Sequence, residues 1–446
     1  MGRHAGLVKP ETIVYNVRFV SLHFFPKVLL TFTHILFWTI VVIVAVHYIA
    51  LFRFLYRLKQ GEWKKPDVDF FPKTMVLFPL RGADPSLTRS LEKILMQNYP
   101  NYHVRFILDS ASDPALPFVE SAIQKWGEGR AEIKIIKEHF STCALKCCAL
   151  LHGIADLDPS FEAIVILDGD TNPPGDWLKQ LVEPLSDPHF PVATGLRWYV
   201  PHQANAGSLV RYLWNAAAVV QHDLYRIPWG GSLAIRREFL NRSTLLETWK
   251  HTFTDDTPIT SIVWQAKENV ALVPSLFLVN REMCGLRAFH RWVQRQMLYM
   301  KLYHPAWGAV LSQAVLLTLP LLLLVGTFIV GLVSQDGQVA LVSLSSFLLY
   351  WIGVFGTLPM IERAVRRIVK QRGDEIKPCS FYRAMKTFMM IPLTQMVYTS
   401  ALFWLHFLKR VEWRGIEYEI TDGHVRMVEY KPYATKLSEQ TEGHSL

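Results

Sequence analysis

The stretch AIVILDGDTNPPGDW, Ala163 to Trp177, runs from five apolar residues into two aspartates one residue apart, with two prolines just behind them. A short apolar run bounded by turn residues, Ile-Val-Ile at its centre, reads as a strand buried on both faces of a sheet. Its end therefore delivers Asp168 and Asp170 to one point on one tight turn. Two carboxylates held that way bind a hard divalent cation through oxygen, and Mg2+ or Mn2+ so bound keeps open positions for phosphate oxygens. Aspartate and asparagine before Pro-Pro are also ordinary turn residues; the branched apolar run in front of them is what favours the cation.

Working outward, TMVLF (Thr74 to Phe78), VRFIL (Val104 to Leu108) and EIKII (Glu132 to Ile136) repeat the buried-strand pattern. Between them PSLTRSLEKILMQN, PALPFVESAIQKW and TCALKCCALLHGIADL read as helices. Strands alternating with helices predict an α/β fold: a mostly parallel sheet with helices on both faces, here over residues 66–285. Ligands of such sheets gather at the carboxyl ends of the strands. That edge collects Pro79 and Arg81 after the first strand, Asp109 and Asp113 after the second, and Asp168 and Asp170 after the fourth.

Neither a Walker-type loop nor Gly-x-Gly-x-x-Gly follows the first strand, so nucleotide hydrolysis and dinucleotide redox chemistry lose support. Lys146, at the start of a predicted helix, is either a point charge for a phosphate or a solvated lysine. Further on, IPWGGSLAIRREFL places Gly230 and Gly231 where a backbone must approach something closely. Asp255 and Asp256 precede a helix signalled by Thr257 and Pro258; capping explains one of them, and the second is better explained as a base.

The 446-residue chain is half hydrophobic, with a mean hydropathy of +0.17 and a formal charge of +9. That is too apolar for an ordinary soluble enzyme. Residues 28–52 carry no charge and are long enough to cross a bilayer, after a basic, interfacial segment at 1–27. Residues 286–308 form an aromatic and basic interfacial helix. The region 309–408 contains an apolar hairpin (Val310 to Val333 and Val339 to Ile361), then a basic stretch, Glu362 to Lys377, whose Ala364, Val365, Ile368 and Val369 share a face suited to a lipid surface or belong to a solvated loop. Its last apolar run, Met385 to Leu408, is either re-entrant around Pro392 or a true span. A tail follows at 409–446, with a small hairpin expected around Thr421 to His424 and polar residues after Lys436. Arg53, Arg57, Lys59, Lys64 and Lys65 favour a cytoplasmic catalytic domain. Five cysteines at no framework spacing read as reduced, packed thiols.

In this order, Asp109 and Asp113, Lys146, Asp168-Gly169-Asp170, Trp229-Gly230-Gly231, Asp255-Asp256 and Arg291-Trp292 resemble the family 2 glycosyltransferases of GT-A fold, particularly the membrane-bound branch that includes ceramide glucosyltransferase. The resemblance covers Lys73 to Gly308. It implies that Asp109, with Asp113, contacts the uracil or ribose of a UDP-sugar, and that Lys146 lies near the nucleotide. Pro79, Arg81, Gly230, Gly231 and Asp255 would complete the donor site. It further implies that Asp168 and Asp170 hold the metal and donor diphosphate, that Asp256 is the catalytic base, and that Arg291 and Trp292 serve the reacting end. Ala288 stands where the Gln/Arg-x-x-Arg-Trp motif has a polar residue, which argues against a processive polysaccharide synthase and leaves the acceptor open. The expected activity is transfer of a sugar, glucose by resemblance, from UDP to a membrane lipid hydroxyl such as ceramide or diacylglycerol, with no nucleic-acid partner. A polysaccharide synthase and a non-enzymatic membrane scaffold are the alternatives.

Overall fold

The computed structural model describes residues 17–421 and 423–433, with side chains from Lys27 onward. Its elements in chain order are α1 (Val17–Gln60), β1 (Thr74–Leu80), α2 (Leu87–Leu95), β2 (Tyr102–Leu108), α3 (Leu116–Ala122), β3 (Ala131–Ile135), α4 (Leu145–Ala155), β4 (Ala163–Leu167), α5 (Trp177–Val182), β5 (Val192–Tyr199), α6 (Ala206–Tyr225), β6 (Ser232–Arg236), α7 (Arg237–Arg242), α8 (Leu245–Trp249), α9 (Ile259–Gln265), β7 (Val270–Asn280) and α10 (Leu286–Tyr303). They continue with α11 (Trp307–Val333), α12 (Gly337–Gln371), α13 (Phe381–Met389), α14 (Ile391–Leu405), β8 (Arg410–Trp413), β9 (Ile416–Thr421) and β10 (His424–Glu429).

The first seven strands form one sheet in the order β3-β2-β1-β4-β6-β5-β7, parallel except for β6, which runs against both its neighbours. The expected mostly parallel α/β sheet is therefore present. Alternation along the strands assigns the two faces. Val76, Phe78, Val104, Phe106, Val165 and Leu167 point to one face, where they pack with α2, α3 and α5. Leu77 and Ile107, of opposite parity, meet α4 on the other, where Gly153 leaves no room for a β-carbon against them. β6 enters the sheet where β4 leaves it, Ser232 opposite Leu167, so the Gly230-Gly231 turn sits at the mouth of the Asp168-Asp170 turn.

Two compact units are distinguishable, one formed by Ser312–Gly356 with the chain up to Ile49, the other by Ala50–Leu311 and the chain from Thr357. In the first, Leu36 and Ile40 of α1 pack with Leu324 of α11 and Tyr350 of α12. Among the described residues, three helices are long and apolar enough to cross a membrane: Lys27–Gln60, Trp307–Val333 and Gly337–Gln371. The first is longer than residues 28–52 because helical propensity continues into the basic flank. Residues 1–16 of the expected interfacial segment lie outside the described residues; the remainder belongs to α1.

The basic stretch differs from expectation. α12 carries it as helix to Gln371, not as a solvated loop, and Val365 and Val369 are fully buried within the protein while Ala364 and Ile368 are partly exposed. The last apolar run is two helices, α13 and α14, bent by 41° where Pro392 occupies the first turn of α14. Proline lacks the N–H that would continue the ladder. The tail forms a three-stranded antiparallel sheet, β10-β9-β8, with the β9–β10 turn at Thr421 to His424 as expected. Residues after Lys436 lie outside the described residues. All five cysteines are free, and four are buried.

Candidate active site

The carboxyl ends of β1, β2, β4 and β5 open into one cavity of about 260 Å3, lined by Pro79, Arg81, Asp109, Lys146, Asp168, Asp170, Gly231, Asp255, Asp256 and Trp292 among the residues expected from sequence. Asp113, Gly230 and Arg291 do not line it. The buried Asp113 carboxylate accepts from the N–H of Gly82 at 3.0 Å and of Ala115 at 2.8 Å, which braces the turn after β1. Gly230 works from behind: its N–H donates to Asp256 Oδ2 at 2.8 Å, and a β-carbon there would overlap the Asp255 carboxylate. At Gly231 a β-carbon would overlap the Trp229 ring and lie 2.6 Å from Asp168 Oδ2. Both glycines are thus required by close approach.

Charge is concentrated around Asp168, Asp170 and Asp255. Lys146 Nζ lies 2.7 Å from Asp168 Oδ1 and 3.0 Å from Asp255 Oδ2, the first aligned as a hydrogen bond and the second an ion pair without that alignment. Its solvated-lysine alternative is excluded by this double pairing. Arg197, at the end of β5, reaches Asp170 Oδ1 at 3.0 Å and Asp168 Oδ2 at 3.4 Å, with its guanidinium 4.6 Å over the Trp229 ring. Burial alone would raise the Asp168 carboxyl, but Lys146 and Arg197 outweigh it and hold the group below the ordinary range. Burial pushes Asp170 up, with Arg197 opposing it and the Asp168 charge adding to it. Burial also pushes Asp255 up to about 6, against the pull of Lys146 and with help from Asp256.

Asp256 is fixed by four hydrogen bonds. Oδ1 accepts from Thr254 Oγ1 at 2.7 Å, Thr257 N at 2.6 Å and Thr257 Oγ1 at 3.0 Å, and Oδ2 from Gly230 N. Oδ2 keeps a lone pair free toward the cavity. Asp255 caps nothing: α9 begins at Ile259 with Pro258 at its N-cap, so the capping alternative is not realised.

The carboxylates suit a divalent cation as a partial ligand set. Hydrogen bonds reach Asp170 only at Oδ1, and its side chain is 7% exposed, which leaves a nearly buried oxygen for a metal. Among the described residues no three His, Cys, Asp or Glu side chains converge, so a cation here would take at most two protein carboxylates and draw its remaining ligands from elsewhere.

Much of the remaining lining, from α6, α10 and the start of α11, is apolar and aromatic. On α10, Trp292, Arg295, Gln296 and Tyr299 line the cavity at spacings of one helical face, and Trp292 packs edge-on to Trp214 at 5.2 Å. Arg291 is exposed beside that face. Arg295 is 8% exposed, and its buried Nε has no partner.

Arg197 and Arg295 were not singled out by sequence. The signals available were a cation at a strand end and an i+4 repeat after Arg291. Also missed was the tail's direct part in the site. Trp413, the last residue of β8, and Arg414, in the β8–β9 turn, line the cavity, and Arg414 donates to Arg81 O at 2.6 Å and Asp84 Oδ2 at 2.8 Å. Tyr418 seats this sheet by accepting from Leu145 N at 3.1 Å.

Comparison with known proteins gives the family. Residues 39–425 match glycosyl transferase family 21. A ceramide glucosyltransferase of Candida albicans (strain SC5314 / ATCC MYA-2876) is 27% identical over 113 residues, 22% of this chain and 21% of that protein, so the chain matches about a fifth of that relative's length. Among solved structures, the mannosyltransferase PcManGT from Pyrobaculum calidifontis in complex with GDP-Man and Mn2+ is 18% identical with a TM-score of 0.44, covering 83% of this chain and 99% of its own. GalNAc-T7 with UDP, GalNAc and Mn2+ is 14% identical with a TM-score of 0.37, covering 52% and 49%. The family match spans most of the chain, including every strand that delivers a carboxylate to the cavity, and the chain therefore belongs to glycosyl transferase family 21 and is a glycosyltransferase.

Proposed function

We propose that the chain transfers glucose from UDP-glucose to a lipid hydroxyl, of ceramide or diacylglycerol, with inversion at the anomeric carbon. The observation that carries this reading is one cavity lined both by the charged Asp168, Asp170, Lys146 and Arg197 and by the apolar Trp214, Ala218, Val219, Met297, Met300 and Val310. An anionic donor suits the charged lining and an amphipathic acceptor the apolar lining of such a space. The ceramide glucosyltransferase match supports the same pairing.

In this reading Asp168 and Asp170 hold Mg2+ or Mn2+, which supplies neutralisation of the donor diphosphate. Lys146 and Arg197 place fixed positive charge where the leaving group gains negative charge. Pro79, Arg81 and Asp109 border the nucleoside, and Asp113 supports them through Gly82. Asp256 Oδ2 accepts the proton of the acceptor hydroxyl as that oxygen attacks the face opposite the diphosphate. Four hydrogen bonds hold the carboxylate for in-line attack, which removes most of the orientational cost. Asp255 keeps Lys146 in place from behind. Trp292 forms the floor beside the acceptor; Arg291, exposed beside it, is assigned to the membrane surface rather than the diphosphate. The long apolar helices anchor the enzyme in the bilayer, and the basic flank of α1 supports a cytoplasmic catalytic unit.

The test is the purified protein in nanodiscs with UDP-glucose, Mn2+ and either ceramide or diacylglycerol. UDP and one glycolipid should form in equal amounts, with β linkage by product analysis. Glucose released to water, or polymer without glycolipid, would remove the lipid acceptor.

A further inference from the structure

The last described segment, after β10, does not end in solvent. Met427 N donates to Ser141 O at 2.7 Å and leads the chain across the ends of β1 and β2. There the Tyr430 ring lies on the His139 ring, centroids 3.7 Å apart and 17° from parallel. The Tyr430 hydroxyl donates to Asp109, 3.1 Å from its carbonyl oxygen and 3.2 Å from Oδ2. Arg81 pairs with the same carboxylate, donates to Lys431 O at 2.6 Å and lies beneath both the Tyr430 and Tyr433 rings. Gly82, at φ +79°, has no β-carbon, and the Tyr433 ring takes that space.

The chemistry of this contact is that of a ligand. Burial holds the His139 imidazole below its ordinary value, so the ring is neutral near pH 7, and Nε2, 3.0 Å from the Asp109 carbonyl, carries the proton. Burial, then the Asp109 charge, pushes the Tyr430 hydroxyl up to about 12, so it remains a donor. A single six-membered ring stacked on a neutral imidazole, with one edge donor on a carboxylate, reproduces what a uracil ring with its N3–H would do there.

We infer that Tyr430 is an internal ligand of the nucleobase subsite, stacked on His139 and bonded to Asp109, and that the donor nucleotide must displace it to bind. This rests on the reading of Asp109 as a nucleoside contact. The strap therefore lowers donor affinity by the share of the population in which it occupies the subsite, and a base recovers both interactions only where it stacks on His139 and presents an edge donor to Asp109.

The experiment uses the full-length protein and its Tyr430→Ala and Tyr430→Phe variants, titrated with UDP and GDP by calorimetry, with amide hydrogen exchange over residues 427–433 followed in the wild type. A site that is self-occupied binds more weakly by the fraction left open, so Tyr430→Ala should tighten UDP by about tenfold, Tyr430→Phe by roughly twofold, and UDP should speed exchange over the strap. Weaker or unchanged UDP binding in Tyr430→Ala, or exchange slowed by UDP, would overturn the inference while leaving a UDP donor intact. Tightening of GDP alone, with UDP failing to bind, would keep the strap as an occupant but remove the UDP reading. If neither nucleotide binds any of the three proteins, both fall.

Discussion

Arg197 Nη2 stands 3.0 Å from Asp170 Oδ1, closing a chain of alternating charge that runs from Asp255 through Lys146 and Asp168 to Asp170. The four ionic contacts bind three carboxylates to two cations in a nearly buried place. Removing a cation leaves carboxylates whose burial is uncompensated, and removing a carboxylate frees a cation. Each member can therefore be tested by a distinct readout.

Arg197→Met removes the charge while keeping most of the volume. UDP affinity should fall by about tenfold, in line with loss of one charge-assisted contact of roughly 1.5–3 kcal/mol, with a larger loss in turnover. Calorimetry and UDP-release kinetics separate the two. Unchanged binding would detach Arg197 from the diphosphate.

Asp256→Asn keeps the side-chain shape and an acceptor for the three donors at Oδ1, sets its NH2 against the Gly230 N–H, and removes the base. Turnover should drop by about 10²–10⁴-fold with UDP affinity within about twofold of wild type. A comparable loss in UDP affinity would make Asp256 part of the donor site instead.

Asp255, pushed up to about 6, gives a pH signature with two opposite signs. Below pH 6 it takes a proton and Lys146 loses a counter-charge, so activity should fall on an acid limb near 6 that is absent in Asp255→Asn. Between its ordinary value of 3.8 and about 6, the folded chain binds more protons at this site than the unfolded chain. This contribution to stability therefore grows as pH falls through that window and is lost as pH rises. Parallel rate and melting profiles check both signs.

Gly231→Ala and Gly230→Ala should each fold with a modest stability loss, on the order of 1–3 kcal/mol, yet lose most activity, since the added methyl pushes Asp168 or Asp255 aside. Thermal melts beside UDP-release assays test this. Full activity in either would mean that the turn has room to give.

Arg295→Ala and Arg291→Ala distinguish two positions a turn apart. The buried Arg295 lines the cavity and the exposed Arg291 does not, so the first should cost about 10²-fold in turnover and the second less than about threefold in detergent. The reverse order would assign the cavity to the wrong face of α10.

The sequence by itself determined the parts whose causes are local. An unbroken Ala-Ile-Val-Ile-Leu run cannot face water on either side, so β4 and the aspartates at its end were legible, and parallel strands brought Arg81, Asp109 and Asp168 to one edge. Glycines at 230 and 231 announced a close approach for the same local reason. Only the tertiary structure decided what met there. Arg197 comes from a strand that pairs with β6 and β7, a register no local pattern specifies. The phase of α10, which turns Arg295 inward and Arg291 outward, follows from its packing on α6 and α14. Tyr430 reaches Asp109 across 321 residues of sequence, a contact whose cause is the fit of two surfaces, and a linear pattern carries no record of that fit.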